Sequence, residues 1–278
     1  MKKLLPIALL CALLVAWKPP VSLSKVQKAK KGMDLVSGAA HKINEEEEYH
    51  IGRAVAANIL SQYKLWKNGA LTRYVNLVGG ALALRSQRPE TYGGYRFALL
   101  DSEEANAFSA PGGIIFLTRG IVEMAGDEDE LAAVLAHEIQ HIVARDPLKA
   151  IRSQRLKALG TFTAGEAVGS RGGALGVFQD SVMDISGTLL QKGYSRSQEK
   201  NADLGALELL AVTGYDPGAL RAMLKKIEAI EKKKVKAFSA HPSAAKRMAY
   251  VDGRAGSAAG KNGREARGVR FRQALAHR

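Results

Sequence analysis

His137-Glu138-Ile139-Gln140-His141 lies inside a helical run that opens with Asp127-Glu128-Asp129-Glu130-Leu131 and continues to Ala144. On a helix, positions i and i+4 share a face, so both imidazoles can point at one ion. Glu138 sits beside them and can reach a water on that ion without being a ligand. H-E-x-x-H is the pattern of zinc hydrolases, in which three protein ligands leave one position open. Alone, the same five residues also fit two ordinary helical histidines, one packed and one exposed.

The third ligand must come from elsewhere in the chain. The completion H-E-x-x-H-x-x-G-x-x-H fails, because Ala144 and Pro147 occupy its last two fixed positions. That leaves a carboxylate on another element. Glu166 sits in a Gly- and Ala-rich stretch, whereas Glu199 sits on a clear helix in Ser195-Arg196-Ser197-Gln198-Glu199-Lys200-Asn201-Ala202-Asp203. Asp203 falls one turn beyond Glu199 on the same face, where it can accept the second N–H of a ligating His. This pairing selects His137, His141 and Glu199 as the ligands of one Zn2+ per chain, with Asp203 behind them.

Outward from the motif, the 278-residue chain reads as mostly helical with a small mixed β-sheet, an α+β arrangement. Four acids at Glu45-Glu46-Glu47-Glu48 open an amphipathic helix and are expected to be a solvated helix start. A second helix covers 71–84. Strands are expected at 95–100, 105–110 and 114–118, the last following the Pro111-Gly112-Gly113 turn. Asp146-Pro147 is expected to end the motif helix. Residues 148–159 read as a basic helix, 161–177 as a Gly-rich segment, and 180–190, 195–210 and 217–232 as helices.

The beginning of the chain has the pattern of an export signal. Lys2-Lys3 precede an apolar run over 4–17 broken by Pro6, and Ser22-Leu23-Ser24 supplies the small residues of a cleavage site. The run is short for a membrane span, so a cleaved signal is preferred to an anchor, and Cys11 comes too early for a lipoprotein site. Without the signal the chain has no cysteine, which excludes thiolate metal sites and cysteine nucleophiles. The organisation expected is 1–24 signal, 25–44 lead-in, 45–250 catalytic domain, and 251–278 a basic, disordered tail with at most a short helix near its end. A net charge of +14 favours anionic surfaces, peripheral membrane contact included. No zinc finger, phosphate loop or aromatic RNA-binding motif accompanies it, so no nucleic-acid partner is expected.

Three stretches in order, Asn106-Ala107-Phe108-Ser109-Ala110-Pro111-Gly112-Gly113, the His137–His141 motif and Glu199-Lys200-Asn201-Ala202-Asp203, resemble the M48 zinc metallopeptidases. That family includes membrane CaaX proteases and soluble periplasmic quality-control peptidases, and the resemblance covers about 42–250. It implies a zincin-like fold, helices around the zinc with a small sheet whose edge receives substrate. It also implies a role for His241 and Arg247, because family members carry a His-Pro with an Arg six residues after the His. The implied role of His241 is either to stabilise the oxyanion or to occupy the water position in a latent state. From the residues alone, a His before Pro fits a cap or a surface group equally well.

The resulting expectation is an exported, periplasmic or cell-envelope metalloendopeptidase that cuts misfolded or flexible polypeptides. Glu138 is the general base that activates the zinc water, and His241 and Arg247 complete the catalytic set. Substrate is expected to lie extended beside Gly112, Gly113, Ile114 and Ile115 as an added strand. The rival from another class is a zinc-bearing, chaperone-like module that holds envelope proteins without cleavage. A small-substrate hydrolase such as an amidase shares the same ligands.

Overall fold

The structure, a computed structural model, describes residues 42–149, 179, 182–233, 241–252 and 263–276. Helix α1 (Glu45–Gln62) is started by Asn44, whose side chain accepts from the Glu47 amide while the Glu47 carboxylate accepts from the Asn44 amide. Helix α2 (Gly69–Ala83) is capped by Asn68. Strands β1 (Arg96–Leu100), β2 (Ala107–Ala110) and β3 (Ile114–Thr118) follow, then α3 (Arg119–Met124) and α4 (Glu128–Val143). Helices α5 (Arg196–Thr213), α6 (Gly218–Lys232), α7 (Ala244–Val251) and α8 (Arg264–Ala276) complete the order. The α+β expectation holds. Among the described residues, no helix is long and apolar enough to cross a membrane.

The sheet has the order β1-β3-β2, with β1 parallel and β2 antiparallel to β3. Side chains alternate between its faces, and both faces are covered. Phe97, Leu99, Ala107, Ile115 and Leu117 join the core built on α2 and α4, while Leu100, Phe108, Ala110 and Phe116 meet α1 and residues 182–189. Burial on both sides explains why Ile114-Ile115-Phe116-Leu117 is continuously apolar rather than alternating. Between β2 and β3, Gly112 (φ 75°) and Gly113 (φ 94°) adopt conformations that disfavour a side chain. Helix α1 presses so close that a Cβ on Gly52 would lie 1.9 Å from the Pro111 carbonyl oxygen.

Helix α4 is the axis of the fold. Residues 128–142 are all buried, so this helix has no solvent face, unlike α6 or α7. It is packed by α2, α5, α6 and α8. It ends at Val143, earlier than Asp146-Pro147 implied, because Arg145 takes a left-handed conformation (φ 53°) that turns Asp146 back beneath the helix.

Three sequence expectations change. Glu48 is not solvated: it is 1% exposed, gripped by Arg88 (2.9 Å) and Arg145 (2.7 Å), and it accepts from the Gly112 amide at 3.2 Å. The 180–190 helix gives way at Thr188–Lys192 to a π turn. The helix near the end of the tail is not a loose appendage: α8 packs Phe271 into the core beside Tyr74. The reason is electrostatic. Arg264, Arg267 and Arg270, spaced three apart, reach Asp127 (2.8 Å), Asp129 (2.9 Å) and Glu128 (2.6 Å) at the start of α4. Glu128 and Asp129 are 1% and 0% exposed, so the arginines neutralise charges that have lost their water. The expected signal over 1–24, and the readings of 148–159 and 161–177 beyond residue 149, lie outside the described residues.

Arg267→Ala is expected to destabilise the fold by about 3 kcal/mol, since it strands the buried Asp129 carboxylate. Urea denaturation of the full chain measures this, and a loss within error of zero would show that α8 is not held by its ion pairs.

Candidate metal centre

On α4, His137 and His141 stand one turn apart with their Nε2 atoms 3.2 Å from each other. Helix α5, started by the Ser195 capping box, carries Glu199 to the same place, fully buried. Its Oε2 is 3.6 Å from His137 Nε2 and its Oε1 is 3.6 Å from His141 Nε2. His241, just before α7, adds Nδ1 at 2.8 Å from Glu199 Oε1 and 3.4 Å from His137 Nε2. Ligand atoms of these four residues all lie within 4.8 Å of one another.

A tetrahedral zinc with bonds of about 2.05 Å to nitrogen or oxygen has donor–donor edges of about 3.3 Å. The observed separations bracket that edge, so the donor set fits the ion in both chemistry and spacing. Two imidazole lone pairs facing each other at 3.2 Å also repel unless a cation or a proton lies between them.

The rear of each histidine is tied to a carboxylate. His137 Nδ1 is 2.8 Å from Asp203 Oδ1, and His141 Nδ1 is 2.8 Å from Asp146 Oδ2. Donating from Nδ1 fixes the tautomer and leaves each Nε2 lone pair free toward the cluster. Asp203 is itself clamped: Arg247 donates from Nη2 to Oδ1 (2.6 Å) and from Nε to Oδ2 (2.9 Å), and Tyr250 donates to Oδ2 (3.2 Å). Asp146 accepts from Lys149 (2.7 Å) and from Gln198 of α5 (3.1 Å).

The electrostatics agree with this layout. Burial alone would raise the Asp203 carboxyl, but Arg247 and His137 outweigh it and hold it far below the usual carboxylate range. Burial likewise opposes ionisation of Glu199, and His241, His137 and Arg247 override it in the same direction. His137 is pushed down by burial and then by the Arg247 charge, which keeps its imidazole neutral. His141 goes up: burial opposes this, but the Asp146 hydrogen bond and the Glu199 and Glu138 charges prevail. The same negative charges that favour a proton there also favour a metal cation.

Glu138 differs from every other acid in the centre. Both its oxygens are buried without a hydrogen-bond partner, and His241 Nε2 stands 3.8 Å away. A narrow cavity between β2 and the 188–194 segment is lined by Ala107, Phe108, Ser109, Glu138, Tyr194 and His241.

The structure thus brings together His137, His141, Glu199, Glu138, Asp203, His241 and Arg247. It does not bring in Gly112, Gly113, Ile114 and Ile115. β3 is the central strand, paired on both sides, so it has no free edge for a substrate, and the two glycines are buried against α1 and Thr91. The edge strand beside Glu138 is β2. Sequence reasoning missed Asp146 and Tyr194. Asp146 had been read only as part of a helix stop, although it lies five residues after His141, just past a helix end where the chain can fold back.

The sequence profile of Peptidase family M48 matches residues 70–255. The chain is 27% identical over 199 residues to the beta-barrel assembly-enhancing protease of Escherichia coli (strain K12), covering 70% of this chain and 40% of that protein. It is 34% identical over 154 residues to the mitochondrial metalloendopeptidase OMA1 of Schizosaccharomyces pombe, covering 53% and 42% respectively. It is 28% identical over 152 residues to the metalloprotease LoiP of Escherichia coli (strain K12), covering 54% and 58%. The chain therefore spans about two fifths of the length of the first of these curated relatives.

Asp146→Ala should weaken zinc binding about 10- to 100-fold, because it removes the acceptor that aligns His141. Competition with a chromogenic chelator reads this directly. Unchanged affinity would mean that Asp146 serves only to join the end of α4 to α5.

Proposed function

This chain belongs to peptidase family M48, and from that premise we propose that it is a zinc metalloendopeptidase acting on flexible or misfolded polypeptides. The observation that carries the reading is Glu138, a buried carboxylate with no partner beside a donor set of zinc-like spacing. A purely structural metal site has no use for such a group. His137, His141 and Glu199 would hold the ion, which supplies Lewis acidity to water and to the scissile carbonyl. Glu138 takes the proton from the attacking water and returns it to the leaving amine. Asp203 and Asp146 hold the two imidazoles in register, and Arg247 fixes Asp203 without touching substrate.

His241 bears on whether the site is open. Its Nδ1 stands among the ligand atoms, which supports its serving as a fourth ligand in a resting state. The same observation favours the second reading, a zinc module that binds without cutting, because closed four-donor sites are usually structural. The unpartnered Glu138 weighs against that reading.

Substrate main chain would pair with β2 rather than with the Gly112–Ile115 stretch. Backbone pairing accepts any extended segment, so it selects for unfolded polypeptide more than for sequence. Export to the periplasm or cell envelope rests on the charged start and apolar run over 4–17. The Escherichia coli relative, named for enhancing β-barrel assembly, supports envelope proteins as the substrate class. The catalytic unit proposed runs from residue 45 and includes α8, which packs on α4 outside the matched 70–255.

Zinc-loaded protein should degrade unfolded casein, lose that activity to a chelator and regain it with zinc. Glu138→Gln should lower turnover by at least about 10²-fold while the zinc content stays at that of wild type. Casein binding without cleavage by wild type, under every condition that frees His241, would leave only the non-cleaving module.

A further inference from the structure

Among the described residues, Tyr194 is the one aromatic side chain lying flat against a candidate ligand. Its ring stacks on His141 at a centroid distance of 4.1 Å and an interplanar angle of 28°. The hydroxyl oxygen is buried and has no hydrogen-bond partner. Tyr194 lines the narrow cavity shared by Glu138, His241 and the β2 strand. A buried phenol normally finds a partner, and native chains leave such a group orphaned mainly where a ligand supplies what is missing.

The backbone on either side of Tyr194 is locked. Before it, the Thr188–Lys192 π turn closes with Gly193 at φ 71°, its amide donating to the Thr188 carbonyl at 2.8 Å. After it, Ser195 is held by the capping box that starts α5. A single residue between two fixed points has its side chain aimed in advance, which is what a group acting on a reacting atom needs.

The other polar atoms around the cavity are engaged or of the wrong kind. Glu138 and Glu199 Oε2 are unpartnered acceptors. His241 Nδ1 faces Glu199. The unpartnered donors are the hydroxyls of Tyr194 and Ser109. Ser109 lies on β2, among the backbone that substrate would pair with, whereas the Tyr194 ring stacks on the candidate ligand His141. Burial, and next the Glu138 charge, push the phenol up from its ordinary pKa, with the nearby Ser109 hydroxyl opposing them.

We propose that the Tyr194 hydroxyl donates a hydrogen bond to the scissile carbonyl oxygen as that oxygen becomes an oxyanion, making Tyr194 a catalytic residue. This rests on the peptidase reading above. Water adds to the carbonyl carbon, its proton passing to Glu138, and the carbonyl π pair moves onto oxygen, where Tyr194 meets it. The pair returns as the C–N bond breaks, and the proton on Glu138 goes to the amine. Tyr194 keeps its own proton throughout.

Tyr194→Phe in the zinc-loaded full chain tests the proposal. The ring and its stacking on His141 are retained, so zinc content should match wild type. Turnover of casein peptides should fall on the order of 100-fold with KM within about twofold, the pattern of a contact made in the transition state. Affinity for a phosphinic peptide built on a site that wild type cuts should fall by the same factor. The melting temperature should hold or rise, since the variant removes an orphaned buried hydroxyl, whereas a merely structural tyrosine would lower it. Loss of zinc, a lower melting temperature, or lost turnover with unchanged analogue affinity would each make Tyr194 a support for His141 and overturn the proposal. Equal turnover in the two proteins would overturn it while leaving the peptidase reading intact. A wild type that cleaves nothing would end both. Were the loss of analogue affinity to appear in Ser109→Ala instead, the donor would be Ser109 and the assignment to Tyr194 would fall.

Discussion

The Asp203 carboxylate is the constraint on which the centre depends. It is fully buried, and it is stable there only because Arg247, His137 and Tyr250 surround it. Through it, three helices are fixed to one another: α5 carries the acid, α4 the imidazole and α7 the guanidinium and phenol. Removing water from one carboxylate thereby makes the relative placement of three elements a single cooperative requirement. Glu199 lies one turn earlier on α5, so its position among the histidines follows from the same contact. Asp146 applies the logic a second time from the end of α4, and Gln198 ties that end back to α5.

The start of α4 obeys the same physics for a different purpose. An acidic first turn is ordinary on a surface helix, but here Glu128 and Asp129 are buried because α4 is enclosed by four helices and strand β2. Tyr74 and Tyr215 satisfy Glu128 from α2 and from the turn before α6, and the arginines of α8 supply the compensating charge. The helix that carries His137 and His141 is thus clamped at both ends by buried ion pairs, with its apolar middle packed between them. A helix held in this way has little freedom to rotate, which is what two ligands on adjacent turns require.

Much of the centre was legible because its chemistry is periodic. His137 and His141 share a face by spacing alone, and Glu199 with Asp203 repeats the device on α5. His241 and Arg247 were reachable only through the family resemblance, since neither a His before Pro nor a helical Arg signals a buried contact by itself. Asp146 was missed because its position depends on Arg145 adopting a left-handed conformation, which no propensity favours for that residue. Tyr194 was missed because a lone aromatic before a helix cap has no pattern to read. In the fold, helices and strands were recoverable from periodicity, but strand order was not. Both β2 and β3 are apolar and short, and only the packing of α1 under the turn places β3 in the middle. The tail misled for the opposite reason: its Gly, Ala and Arg content suggests disorder, and the acids that organise it lie more than a hundred residues away.

Strand order also changes what recognition must rely on. Had β3 been the edge, substrate would have met a five-residue strand extending from a glycine turn. The edge beside Glu138, β2, has four residues, all buried, and lies against a cavity narrowed by Thr188, Leu189 and Tyr194. A strand that short offers few main-chain hydrogen bonds, so on the proposed reading any one segment of polypeptide would be held weakly and its side chains would count for little. Discrimination then falls to whether a chain can present an extended backbone at all. Folded proteins keep their backbone groups paired internally, while unfolded ones do not. On the proposed reading the site would distinguish polypeptides by conformation before sequence, and His241 among the donors, together with the narrow cavity, would give it a closed resting form.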